Sequence, residues 1–170
     1  MARKKLSEEL QKAILELPIK DKNKLLLRLI TKDDLLTEQL QYQLLENTST
    51  DLTFRINDLK ETLPFPETKL SMKDILALWR EKSSRINRFY KVTKDKKGEL
   101  ELWLSLAQAA LQAYTHHRTT LREFHLRLKF KENGLKKVEK MNTLLLALHE
   151  DYRLEYEDDL AQITDAYKQL

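Results

Sequence analysis

Apolar residues recur every three or four positions along most of this chain, which is the spacing that places them on one face of an α-helix. Within residues 1–66 the pattern predicts about four short helices, each opened by a residue whose side chain can cap it. The capping residues are Ser7, Asp21, Asp33 or Asp34, and Thr50 or Asp51. Leu17 ends the first helix, because a residue before proline disfavours helical backbone. We therefore expect a short helical array at 1–66.

The segment Leu63-Pro64-Phe65-Pro66-Glu67 is the strongest boundary in the chain. Two prolines two positions apart forbid a continuous helix. Beyond them, Ser71 is placed to cap a fifth helix that runs to about Lys94. The sequence therefore predicts a second region, 67–170, which we expect to form one compact unit with the array.

Residues 98–170 carry apolar positions at coiled-coil-like spacing over two long stretches. The first is predicted to be helical from about Glu99 to Lys131, and the second from about Leu135 to the C-terminus. Asn133-Gly134 between them has the composition of a turn. The predicted fold is all-α: a short N-terminal helical array followed by an antiparallel bundle of three long helices.

The amino-acid composition supports an all-α fold and excludes disulfide and thiolate chemistry. The chain has 170 residues, of which only 2 are Gly and 3 are Pro, too few for the turns of an all-β fold. It has no Cys, so disulfides and thiolate sites are excluded. It shows neither a signal-peptide pattern nor an apolar run near the ~20 residues of a membrane helix. We expect a cytoplasmic protein that does not bind membranes.

Charge is segregated along the chain: residues 71–97 are strongly basic and residues 141–170 strongly acidic. With turns near 97 and 133–134, these two runs would lie side by side and form ion pairs between helices. The basic run is Arg80, Lys82, Arg85 and Arg88, and the acidic run is Glu155, Glu157, Asp158 and Asp159.

A second basic cluster surrounds the predicted hairpin tip and is our candidate binding patch. It consists of Arg118, Arg122, Arg127, Lys129, Lys131, Lys136, Lys137 and Lys140. Three interpretations remain open: a solvated end, a nucleic-acid site, or a site for an acidic protein. Only Phe124 and Phe130 lie among these cations, which does not favour stacking on single strands.

Catalytic and metal-binding patterns are weak. His117 and His149 could approach each other in the hairpin, but the repeated Glu-x-x-His of di-metal bundles is missing. Glu155-x-x-Asp158 resembles half of the acidic motif of all-α nucleotide pyrophosphohydrolases, and the other half is absent. We expect no catalytic residue, metal or cofactor.

The sequence therefore favours a non-enzymatic helical interaction or scaffold protein that binds a protein partner or itself as a homo-oligomer. The alternative is a nucleic-acid-binding protein that uses the basic residues around 118–140.

Overall fold

The computed structural model describes residues 5–46, 48–68, 70–116 and 123–170. Within these ranges it contains eight α-helices and no strand. The predicted all-α fold, in which short helices precede a helical bundle, is confirmed. None of the described helices is both long enough and apolar enough to cross a membrane.

The chain divides into two compact units, Met1–Leu45 and Glu46–Leu170. The first contains α1 (Glu8–Glu16), α2 (Ile19–Ile30) and α3 (Asp34–Leu45). Ser7 caps α1 as predicted, and Asp33 accepts from the backbone N–H of Leu36 at the start of α3. No residue of these three helices is buried. The first unit therefore keeps its apolar side chains at least partly exposed.

The fourth helix, α4 (Ser49–Glu61), belongs to the second unit. This differs from the sequence-based boundary at residue 66, which groups α4 with the preceding helices. The physical reason is packing, because Leu52, Ile56 and Leu59 lie against the buried core of the second unit. That the N-terminal helices and the bundle form one compact unit stays a prediction.

Four longer helices complete the second unit: α5 (Met72–Thr93), α6 (Lys96–Thr115), α7 (Phe124–Leu146) and α8 (Glu150–Gln169). Ser71 caps α5 as predicted, and it exchanges hydrogen bonds with Asp74. The predicted turn at Asn133-Gly134 is wrong, because α7 runs through both residues. Among the described residues after Gly98 there are therefore three helices rather than two, with a break at Ala147–His149.

Gly134 serves helix packing rather than a turn. It is buried within α7, and a Cβ at this position would fall on the ring of Tyr167 in α8. Tyr167 is itself fully buried, so its ring has little room to move. A glycine in a sequence otherwise favourable for helix thus permits two helices to approach closely.

Helices α6 and α7 occupy the centre of the bundle. Helix α5 packs on α4, α6 and α7, and α8 packs on α6 and α7. The core joins apolar side chains from all of them around Trp103, Phe130 and Tyr167.

Arg80, Lys82 and Arg85 of α5 form none of the expected ion pairs with the acidic run of α8 among the described residues. Arg85 pairs with Glu81 in its own helix, and Lys82 donates to the Thr62 carbonyl. Glu155 of α8 pairs with Lys97 of α6. The expected pairs assumed a turn at Asn133-Gly134. Because the chain does not turn there, α7 packs along α5 together with α6.

Candidate anion-binding cleft

Helices α5 and α7 enclose a cleft of about 590 Å³, here called the α5/α7 cleft. More than two turns of each helix form the walls of the cleft. The lining residues are Lys73, Leu76, Ala77, Trp79, Arg80 and Ser83 from α5, and Leu126, Lys129, Asn133, Lys136, Lys137 and Lys140 from α7.

Six of the lining side chains are cationic, and no described carboxylate lines the cleft. Four of the six are exposed: Lys73, Arg80, Lys129 and Lys136. Within the described part of the chain, none of these four forms an ion pair. The cleft therefore presents uncancelled positive charge from two helices, which attracts anions.

The floor of the cleft is apolar. Leu76 and Trp79 are buried, and Leu126 is half-buried. The Trp79 indole packs nearly perpendicular to the Phe130 ring, with centroids 5.8 Å apart, and is only 5% exposed, so its faces belong to the core. The cleft thus combines a basic rim with an apolar base.

Lys140 sits at the inner end of the cleft and binds a buried carboxylate. Its Nζ donates to Glu99 Oε1 at 2.5 Å and to Asn87 Oδ1 at 3.3 Å. Trp103 Nε1 donates to the same Glu99 oxygen at 3.1 Å. Glu99 is only 1% exposed, so it depends on these donors for the solvation it has lost.

Lys137 adds a second cation at this point without a carboxylate of its own. Its Nζ lies 4.0 Å from the Trp103 ring centroid, a cation–π contact. Burial and then the neighbouring charge of Lys140 lower the pKa of Lys137, although Glu99 opposes the shift. In the part of the chain that the structure describes, the pair of Lys140 with Glu99 thus leaves the charge of Lys137 without a carboxylate partner, and an anion in the cleft would balance it.

Ser83 carries an unsatisfied hydroxyl. Its side chain is 7% exposed and lines the cleft. Among the described residues it is the buried side chain whose polar atom has no hydrogen-bond partner. Buried polar groups are nearly always paired, so this hydroxyl is a candidate for contact with a ligand.

The structure divides the predicted binding patch into three sets. Lys129, Lys136, Lys137 and Lys140 all line the α5/α7 cleft. Arg127 instead donates to the Tyr114 hydroxyl, and Lys131 donates to the Lys168 carbonyl. Arg118 and Arg122 lie outside the described residues, as does His117.

Sequence reasoning missed the contribution of α5 to this site. Lys73, Arg80 and Ser83 were not assigned to any binding surface, because the wrong turn placed α5 far from the second basic cluster. The available signal was the uncancelled positive charge of residues 71–97.

A separate polar cluster on α6 joins α4 and α8. Glu101 Oε2 accepts from Lys60 Nζ at 2.8 Å, and Glu101 Oε1 accepts from the Tyr156 hydroxyl at 2.7 Å. Burial alone would raise the pKa of Glu101, but these hydrogen bonds outweigh burial and lower it. Burial and the bond to Glu101 raise the pKa of Tyr156, which therefore stays protonated as a donor. This cluster ties three helices together.

His149 lies away from both clusters, at the start of α8. Its Nδ1 accepts from the backbone N–H of Asp151, and its side chain is 72% exposed. It therefore caps a helix.

The sequence matches no protein-family model, no curated protein and no solved structure.

Proposed function

We propose that this chain is a non-enzymatic interaction protein that binds an acidic, amphipathic segment of a partner protein in the α5/α7 cleft. The observation that carries the proposal is the composition of the cleft, six cations above an apolar floor with no described carboxylate in the lining. A segment with acidic residues on one side and apolar residues on the other would match both features.

The apolar floor favours a peptide over nucleic acid. A phosphate backbone would use the cations but would not cover the apolar surface that Leu76 and Leu126 contribute to the cleft. Single-stranded nucleic acid also needs accessible ring faces for stacking, and Trp79 is only 5% exposed. A polypeptide helix or extended segment can satisfy rim and floor together.

The length of the cleft suits a short helix. Leu126 and Lys140 mark its limits along α7, a span of about 20 Å at ~1.5 Å rise per residue. A bound helix of about 14 residues would cover that distance. Its affinity would depend on salt, because the rim charges are exposed.

The test is fluorescence anisotropy with a labelled helical peptide of about four turns that carries Glu on one face and Leu on the other. Lys129→Glu with Lys136→Glu should weaken binding at least tenfold by reversing two rim charges. The matched control, Lys96→Glu with Lys168→Glu, changes net charge equally but alters residues outside the cleft lining. Equal losses in both double variants would show only a general charge effect and overturn the proposal.

The same proteins should be titrated with single-stranded and duplex DNA and RNA. Single strands should bind little at about 0.15 M salt, because the cleft offers no stacking face. Duplexes should bind little because salt at that concentration weakens contacts made only with the exposed rim cations. Nucleic-acid binding that is lost in the cleft variant, combined with no peptide binding, would replace this proposal with the alternative.

A further inference from the structure

The polar groups of the α5/α7 cleft concentrate at one end of it. Trp79 packs on Phe130, and Asn87 accepts from Lys140, so α5 and α7 run parallel through this region. Ser83 lies midway between Trp79 and Asn87, and is therefore level with residues 133–137 of α7. Lys73 is ten residues away along α5, or about 15 Å at ~1.5 Å per residue.

Five hydrogen-bond donors surround that end. Ser83 supplies a buried hydroxyl without a partner. Arg80 stands one turn before it on the same helix. Asn133, Lys136 and Lys137 line the cleft at the same level from α7. The other end, near Lys73 and Leu126, has fewer donors and more apolar surface.

The charge at the Ser83 end is also unbalanced. Lys140 pairs with the buried carboxylate of Glu99, whereas Lys137, whose Nζ lies over the Trp103 ring, has no ion pair among the described residues. Arg80 and Lys136 have no ion pair among the described residues. A ligand group with more than one negative charge would compensate these cations better than a single carboxylate would.

We propose that the Ser83 end of the cleft is a phosphate subsite, which takes a phosphoserine or phosphothreonine of the partner segment. This inference rests on the proposed function, since the rest of that segment occupies the remainder of the cleft. The Ser83 hydroxyl donates to one phosphate oxygen. Arg80, Lys136 and Lys137 bind the others.

A phosphate fits this set of donors better than a carboxylate does. A phosphate monoester carries nearly two negative charges near neutral pH and three terminal oxygens that accept several hydrogen bonds each. A glutamate or aspartate has one charge and two oxygens. The number of donors and the spare positive charge both match the phosphate.

The test compares three versions of the amphipathic peptide that differ at one residue: serine, phosphoserine and glutamate. The phosphoserine peptide should bind the wild-type chain about tenfold more tightly than the serine peptide, the effect of one or two charge-assisted hydrogen bonds. The glutamate peptide should fall between them. Equal binding of all three would overturn the phosphate subsite while leaving the proposed function intact, whereas no binding of any peptide would overturn both.

Ser83→Ala isolates the hydroxyl. It should reduce the preference for phosphoserine, the ratio of the dissociation constants of the serine and phosphoserine peptides, by several fold. Because the wild-type hydroxyl has no partner, the variant should unfold at the same temperature or higher. A preference for phosphoserine that survives in Ser83→Ala would overturn the assignment.

Two further substitutions, both at exposed residues, complete the experiment without risk to folding. Arg80→Gln should lower the phosphoserine preference, whereas Lys73→Gln, at the far end, should weaken both peptides alike and keep the preference. The reverse pattern would overturn the placement of the subsite. Inorganic phosphate alone, at millimolar concentration, should not displace the phosphoserine peptide; displacement would indicate a free phosphate as ligand and overturn the assignment to a partner segment.

Discussion

Two buried polar side chains in the bundle differ in whether they have hydrogen-bond partners. Glu99 receives hydrogen bonds from Lys140 and Trp103 and is therefore compensated for its burial. Ser83 is almost as buried but has no partner for its hydroxyl. The first arrangement offsets the cost of burying a charge, and the second costs stability that a bound ligand can return.

Glu101 should give the protein a stability that depends on acid pH. Its pKa in the folded protein lies below the ordinary value of 4.5. Its contribution to the free energy of unfolding is therefore fully present above about pH 4.5 and is lost as the pH falls through the folded pKa. Glu101→Gln should cost about 1 kcal/mol at pH 7, because a partly exposed ion pair is replaced by a weaker neutral hydrogen bond. That difference should shrink below pH 4.5.

Urea denaturation of the two proteins between pH 3 and 7 measures this effect. Glu157→Gln, an exposed residue of α8, makes the same chemical change without the partners of Glu101. It should change the free energy of unfolding by less than about 0.5 kcal/mol. A constant difference between wild type and Glu101→Gln over the whole pH range would contradict the assigned role.

At the scale of helices, the contact between α7 and α8 depends on the absence of one side chain. Gly134 lies against the Tyr167 ring, and that ring also packs against Trp79 and Phe130. The position therefore couples three helices. A larger residue there has no space unless the aromatic cluster moves.

Gly134→Ala should destabilise the bundle. Alanine gains about 1 kcal/mol over glycine in a helix, but forcing a methyl group against a buried ring costs about 1–3 kcal/mol. The added Cβ would clash with several ring atoms, which places the cost in the upper part of that range, so we expect a net loss of about 1–2 kcal/mol in thermal or urea denaturation.

Tyr167→Leu supplies the control for this prediction. In that background the ring is gone, so Gly134→Ala should be neutral or stabilising. If alanine at 134 stabilises the wild-type chain as well, the close contact between Gly134 and the Tyr167 ring is wrong.

The starts of α1, α3 and α5 were predictable because their signals are local. The predicted caps of α2 and α4 were wrong, since these helices begin earlier, at Ile19 after Pro18 and at Ser49 after Thr48. Ser7 and Ser71 cap α1 and α5 with a side chain that reaches a backbone N–H three residues ahead, as the sequence indicates. Gly134 was misinterpreted because a glycine at a turn and a glycine at a helix crossing give the same sequence signal. Only the position of Tyr167 distinguishes them.

The two units of the whole molecule differ in how much they bury. The second unit has a continuous core that includes Trp103, Phe130 and Tyr167, each no more than 1% exposed. The described helices of the first unit bury no residue, and Ile19 of α2 is 77% exposed. Local stability should therefore be unequal along the chain.

Amide hydrogen exchange on the full chain should show this difference. Amides of α2 should exchange much faster than those in the middle of α7, because opening a helix that buries little apolar surface costs little free energy. Slow exchange from Gly134 to Val138 would also support the continuous course of α7. Equal protection of the α2 and α7 amides would contradict the expected difference in local stability and would indicate that the first unit is covered in solution.

The candidate site was only half visible in the sequence. Lys136, Lys137 and Lys140 stand out as a basic cluster without tertiary information. Arg80 and Ser83 belong to the same cleft only because α5 runs beside α7. Their distance along the chain exceeds 50 residues, and no local pattern encodes which helix will be the neighbour.

By itself, the sequence determined the all-α class, the caps that begin α1 and α5, and the excess of positive charge in α5 and α7. These follow from apolar spacing, short-range hydrogen bonds and composition, which act within a few residues. Tertiary structure alone decided that α7 passes through Gly134, that Lys140 neutralises Glu99, and that Ser83 faces a cleft without a partner. These depend on which helices pack together, and that choice is made by the shape and volume of the whole core.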